Sequence, residues 1–256
     1  TRIFCKLRKK NIKFKVKISI DLKNFNLTKK VFFNLINKFP SSIKQIIKYF
    51  YYLVKFPKRM FLSVVIFPYL EKTGWYKSIE QHKSIDNDSN CIPWYTYSSI
   101  YFLNKRIKAG MKIFEFGSGN STLWYAMKGC DVTSYENDIN WFNSLKSTLP
   151  SNVDYHYCPL EYGGDYSKSV ASSGCVFDII VIDGRDRVNC AFNSINYLSN
   201  KGVIIWDNSD RESYKEGYVF LKKNGFKRLE FQGHGPICNY YWETSIFYKE
   251  NNCLEI

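Results

Sequence analysis

The chain has 256 residues, 45% of them hydrophobic and 18% aromatic, with a formal net charge of +14. That length and apolar content suffice for one domain of ordinary size plus an appendage, and they exclude a disordered or fibrous chain. The charge is lopsided: residues 1–60 hold 17 Lys and Arg against the single acid Asp21, while the remaining 196 hold 20 against 22, so one end alone suits an anionic partner.

Residues 11–22 alternate strictly, with Ile12, Phe14, Val16, Ile18, Ile20 and Leu22 on one face and Lys13, Lys15, Lys17, Ser19 and Asp21 on the other. This is a strand pattern whose lysines suit either an unpaired sheet edge or an anionic surface. Over 41–56 the period turns helical: Ile43, Ile46, Ile47, Phe50, Leu53 and Val54 form a stripe, with Lys44, Lys48 and Lys55 off it. Such a helix packs on protein or lies in a membrane interface, so an anionic membrane surface is one expected partner and a cytoplasmic, peripheral location the matching expectation. The apolar stretch 60–70 is about half the roughly 20 residues a bilayer span needs, and Pro68 interrupts it. The polar turn D-N-D-S-N at 86–90 marks a boundary, giving a basic N-terminal α/β accessory segment over 1–90 and a second domain over 91–256. Eight cysteines stand without a C-x-x-C pair or zinc-ligand spacing, as free thiols in a reducing compartment would.

Pro93 and Trp94 lead into a helix over 97–104, and M-K-I-F-E-F-G-S-G-N-S follows at 111–121. This is an apolar strand carrying the acid Glu115, a tight Gly117-Ser118-Gly119 turn, then a helix over 121–128. The next strand, 131–136, closes at Glu136, the place where a nucleoside-binding α/β sheet puts its ribose ligand. Gly117 and Gly119 would let the backbone pass close to a ligand, and Glu136 offers two acceptor oxygens to paired ribose hydroxyls. Thr122 stands where a dinucleotide fingerprint has its third glycine, which disfavours a dinucleotide. A helix over 138–148 and a strand over 153–158 come next. The nearly continuous apolar runs 177–183 and 202–207 read as buried parallel strands, and Val188, Ala191, Phe192 and Ile195 form a helical stripe between them. After a helix over 214–223, strands at 227–231 and 244–249 are joined by a loop without helical pattern, so they pair antiparallel. The strands end in Glu115, Glu136, Asp183 and the pair Asp207-Asn208. One such acid reads as a helix cap; four in succession read as a site.

From 115 to 249 the chain resembles the class I S-adenosylmethionine-dependent methyltransferases, in strand order and in the E-x-G-x-G turn with its later ribose acid. The resemblance implies an α/β fold with a seven-stranded, mostly parallel Rossmann-like sheet and a terminal antiparallel strand, and S-adenosylmethionine as cofactor. It implies that Gly117, Ser118 and Gly119 face the methionine part, Glu115 holds its amino group, Glu136 binds the ribose and Asp183 also contacts the cofactor. Cys158 and Pro159 stand where the family has an acid for the adenine. The trio Asp183, Asp207 and Asn208 resembles the metal site of catechol-type O-methyltransferases, implying Mg2+ beside a substrate hydroxyl pair, although Asp186 replaces that group's basic lysine. Without metal, a general base would come from Asp186 or from His234 in G-H-G-P, and Asp183 is a further expected catalytic residue. Arg185, Arg187 and Arg211 are candidates to hold an anionic substrate, and Trp75, Trp94 and Tyr95 to line the entrance.

The runs P-W-Y-T-Y, F-E-F-G-S-G-N-S-T-L-W and I-D-G-R-D-R also resemble uncharacterised bacterial methyltransferases, some found with surface-glycan genes. The expected activity is O-methylation of a small molecule or a glycan hydroxyl. Two readings compete with it. One is ribose methylation of RNA through the basic end; base N-methylation is disfavoured, because Asp183-Gly184-Arg185-Asp186 stands where an N-P-P-Y-like tetrapeptide clamps a flipped base. The other is a non-catalytic, membrane-associated binding module.

Overall fold

The computed structural model describes residues 66–256 continuously and scattered positions between 36 and 58. The strand expected over 11–22 lies outside the described residues. The chain divides into two compact units, 1–65 and 66–256. In the first, positions 43, 44, 47, 48, 51, 54 and 55 are helical, in keeping with the stripe over 41–56, and Ile36, Ile47 and Tyr51 pack together. Among the described residues no helix is long and apolar enough to cross a membrane.

The second unit begins with the short helices α1 (Phe67–Lys72) and α2 (Trp75–Gln81), followed by α3 (Tyr97–Asn104). Strands and helices then alternate: β1 (Lys112–Phe116), α4 (Asn120–Met127), β2 (Asp131–Glu136), α5 (Ile139–Lys146), β3 (Val153–Tyr157), α6 (Asp165–Ser172), β4 (Phe177–Ile182), α7 (Arg187–Ser194), β5 (Leu198–Asp207) and α8 (Lys215–Lys223). The hairpin β6 (Lys227–Gly233) and β7 (Trp242–Tyr248) closes the order. The contact division falls at residue 65 rather than near residue 90. The polar turn at 86–90 is wrapped around the Asp86 carboxylate, which accepts from the amides of Asp88 and Asn90, and the segment before it is tied forward: Ser84 Oγ donates to Pro93 O and Trp75 Nε1 to Cys238 O.

The sheet runs β3-β2-β1-β4-β5-β7-β6, with β7 the one antiparallel strand. This is the mostly parallel seven-stranded sheet that the resemblance implies. The central strands are apolar on both faces because both are covered. Ile113, Ile179, Val181, Val203, Ile205 and Ile246 pack with α3 and α4, while Phe114, Phe116, Ile180, Ile182, Ile204 and Trp206 pack with α6, α7 and α8. Two helical elements carry little sequence signal. In α6, D-Y-S-K-S-V-A-S, only Tyr166 and Val170 supply an apolar face four residues apart, and α1 buries none of its residues. Strand order reverses between β1 and β4, so the chain leaves those two strands toward opposite sides and opens a crevice beyond their carboxyl ends.

Packing on the α8 side is tight enough to test. A Cβ on Gly217 would fall 2.5 Å from Cη2 of the fully buried Trp206. Alanine gains about 1 kcal/mol of helix propensity, but overpacking a core costs about 1–3 kcal/mol, so Gly217→Ala should lower stability by about 1 kcal/mol and the melting temperature by a few degrees. A melting temperature at or above wild type would mean that α8 can move away from the indole freely.

Candidate active site

The acid of β1 is fully buried, on the opposite face from Phe114 and Phe116. Glu115 Oε2 accepts from Thr122 Oγ1 at 2.5 Å and more distantly from Ser134 Oγ, whereas Oε1 has no partner. Burial pushes its pKa up to about 7, against the pull of the nearby Ser121, Thr122 and Ser134 hydroxyls, of which only Thr122 and Ser134 make hydrogen bonds to it. The same Thr122 hydroxyl accepts from Gly119 N–H at 3.0 Å. Where a dinucleotide fingerprint has its third glycine, this chain thus has a hydroxyl that ties the turn to the acid.

The two turn glycines differ in kind. Gly117 has φ of 88°, and a Cβ there would lie 2.8 Å from Gly184 Cα, so the ends of β1 and β4 meet backbone to backbone. Gly184 is equally constrained, with the Tyr166 hydroxyl 2.0 Å from where its Cβ would be. Gly119 is extended, and a Cβ there would meet nothing nearer than Trp141 Cζ2 at 4.0 Å. Neither backbone angle nor packing therefore demands glycine at 119; its bare Cα leaves a cradle roofed by Trp141, whose Nε1 donates to Ser118 O at 2.8 Å.

Glu136 stands at the end of β2 beside this turn. Its Oε2 accepts from Ser118 N at 3.1 Å and Ser118 Oγ at 2.8 Å, and its Oε1 from the amides of Asn137 at 2.7 Å and Asp138 at 2.8 Å. Asp138 in turn caps α5 through the amides of Asn140 and Trp141.

At the ends of β4 and β5 a buried guanidinium organises the backbone. Arg187 Nε donates to Gly184 O, Nη1 to Asp207 O and Nη2 to Asp183 O, with Asp183 Oδ1 3.1 Å from Nη2. Arg185, Arg187 and Arg211 are alike as sequence candidates; burial separates them, and Nε, Nη1 and Nη2 of Arg187 all donate to the protein. Asp207 Oδ1 accepts from Trp242 Nε1 at 2.9 Å and Thr244 Oγ1 at 2.6 Å. Burial raises the pKa of both acids, with Arg187 pulling the other way and Asp183 raising Asp207 further. Asn208 takes a left-handed φ of 51° and its Oδ1 accepts from Arg211 Nη2.

A divalent cation, expected at Asp183, Asp207 and Asn208, would compete with the Arg187 guanidinium, which already supplies the positive charge between the strand ends, and with the protein donors that each of the three side chains accepts from through Oδ1. Among the described residues no cluster of three or more His, Cys, Asp or Glu is arranged to hold a metal.

Asp186, also left-handed at φ of 50°, holds Gly163 N through Oδ2 and Asn189 Nδ2 through Oδ1, both at 2.7 Å, and so ties the 161–164 loop to α7. His234 is exposed on the β6–β7 loop, and its carbonyl accepts from Tyr97 N at the start of α3. Of the expected entrance residues, Trp94 is exposed, Trp75 is bonded to Cys238 O, and Tyr95 is fully buried with its hydroxyl 3.4 Å from that of Tyr125. The seven described cysteines are free thiols. Sequence reasoning missed Tyr155 and Trp141 at the turn and Trp242 and Thr244 at Asp207. Only Thr122 carried a signal, as the odd residue of the glycine fingerprint.

The fold is similar to a methyltransferase-like protein from Silicibacter pomeroyi, at 19% identity over 60% of this chain and 90% of that one, with a TM-score of 0.44. It is similar to a putative O-methyltransferase from Klebsiella pneumoniae at 19% identity over 58% and 78% of the two chains, TM-score 0.45. A putative methyltransferase from Streptococcus mutans, solved in complex with SAH, shares 9% identity over 59% and 96%, TM-score 0.44. No protein-family model matches the chain, and no curated protein matches it in sequence. The seven-stranded, mostly parallel sheet flanked by helices is itself that of a Rossmann-like α/β fold.

The buried acid makes a pH prediction. Glu115 binds its proton more tightly folded than unfolded, so its contribution to stability is intact below about 4.5, declines as pH rises toward about 7, and is constant above. Glu115→Gln should remove up to about 3 kcal/mol of that decline, making the variant more stable than wild type at pH 8 but not at pH 4. Urea unfolding at the two pH values measures it; equal differences at both would show that Glu115 is not held protonated by burial.

Proposed function

We propose that this chain, with its class I methyltransferase fold, is an S-adenosylmethionine-dependent methyltransferase acting on a hydroxyl oxygen of a small molecule or a saccharide. One observation carries the reading: a fully buried carboxylate whose Oε1 lacks any donor lies beside a turn whose Gly119 leaves open space. A buried acceptor without a partner is costly, and the ammonium of a methionine moiety is a donor of matching charge. In this reading Glu115 holds that ammonium, Gly117, Ser118 and Gly119 take the methionine part, and Glu136 takes the ribose. The bound cofactor supplies an electrophilic methyl group on a sulfonium.

The acceptor side rests on Asp183. A hydroxyl must lose its proton as the new bond to carbon forms, and a carboxylate whose pKa is raised toward neutrality is a better base than an ordinary one. Asp186 is less suited because both its oxygens are committed, and His234 because its side chain is exposed to solvent. No metal enters this reading. Two features support a saccharide: Tyr240 and Tyr241 are exposed on the loop whose neighbour Trp242 bonds Asp207, and exposed aromatic faces stack on the apolar faces of sugar rings.

Isothermal titration with S-adenosylhomocysteine should show binding and the same titration with NAD none, with Glu136→Ala weakening the former at least tenfold. Binding of NAD, or indifference of S-adenosylhomocysteine to Glu136, would overturn the reading.

A further inference from the structure

We infer that the Ser118 hydroxyl occupies the acceptor position on Glu136 that a ribose hydroxyl needs, so that this serine competes with the nucleoside and sets its affinity. The inference rests on the cofactor reading above and adds to it a residue that acts against binding. A carboxylate presents about four lone-pair sites, and four donors already fill those of Glu136. Three of the four are backbone amides, of Ser118, Asn137 and Asp138, which cannot leave without remaking the turn or the start of α5. The fourth, Ser118 Oγ, is on a rotatable side chain.

That hydroxyl is held in place from several sides. It has one proton and faces a carboxylate that can only accept, so it donates to Glu136 Oε2 at 2.8 Å and accepts from the Tyr155 hydroxyl, also at 2.8 Å. Burial pushes Tyr155 up to about 12, so the phenol keeps the proton it donates. Phe142 stacks on the Tyr155 ring at 4.5 Å, and Trp141 fixes the carbonyl of the same serine. Ribose hydroxyls reaching Glu136 must therefore displace a charge-assisted hydrogen bond that the free protein makes to itself, and the observed affinity is the difference between the two.

Titration calorimetry with S-adenosylhomocysteine on wild type, Ser118→Ala, Ser118→Thr and Tyr155→Phe tests this. Ser118→Ala should bind roughly threefold to tenfold tighter, Ser118→Thr, which keeps the hydroxyl, no tighter, and Tyr155→Phe tighter by a smaller factor. The gain should vanish with the 2′,3′-dideoxy analogue, which offers Glu136 no hydroxyls; a serine with a merely structural role would shift both ligands alike. Should Ser118→Ala not fold, Tyr155→Phe against the two ligands carries the same test. Equal or weaker binding by Ser118→Ala while wild type binds would overturn the inference and leave the cofactor reading standing, whereas no binding by wild type would sink both.

Discussion

The contact between Gly117 and Gly184 is the constraint from which the rest of the site follows. β1 and β4 are neighbours whose chains depart in opposite directions, and their ends can approach this closely only because neither residue has a side chain. The Tyr166 hydroxyl, pressed against Gly184 from α6, closes the remaining space on one side. Fixing that meeting point places Glu115 and Gly119 on one flank and Asp183 and Arg187 on the other, so the glycine turn and the buried acids at the strand ends belong to the same short stretch of packed backbone.

Around that point Glu115, Glu136, Arg187 and Asp207 are buried and Asp183 is partly exposed, and each is treated differently. Arg187 is fully committed to the protein, drawing the carbonyls at the ends of β4 and β5 together, and its positive charge is what allows Asp183 and Asp207 to sit near one another. Asp207 is pinned by the first residues of β7, so the antiparallel hairpin at the sheet edge reaches back to shape the centre. Glu136 is saturated by the protein itself, whereas Glu115 keeps one oxygen unpaired. An unpaired buried acceptor costs free energy in the ligand-free protein, and a ligand that satisfies it recovers that cost on binding. The contrast between a satisfied acid at the end of β2 and an unsatisfied one on the neighbouring β1 gives the two carboxylates opposite thermodynamic roles toward a donor that reaches them.

What the sequence by itself determined is whatever is written in local periodicity and in residues with one physical use. Apolar runs at 177–183 and 202–207 read as strands covered on both faces; the missing helix between the last two strands makes them antiparallel; and the strand-acid-glycine run around Glu115 gives a strand, a tight turn and a helix. What only tertiary structure decided is how polar groups far apart in the chain share protons and space. Arg185, Arg187 and Arg211 are indistinguishable as letters, yet one is buried and spent. Gly117 and Gly119 look equivalent, yet one is demanded by a neighbouring backbone and the other leaves room. Tyr155, Trp141, Trp242 and Thr244 carry no signal of their own, since each acts through a partner on another element. Periodicity reports which face a side chain takes, whereas a hydrogen-bond partner is fixed by the register and crossing of elements that meet only after the sheet has formed.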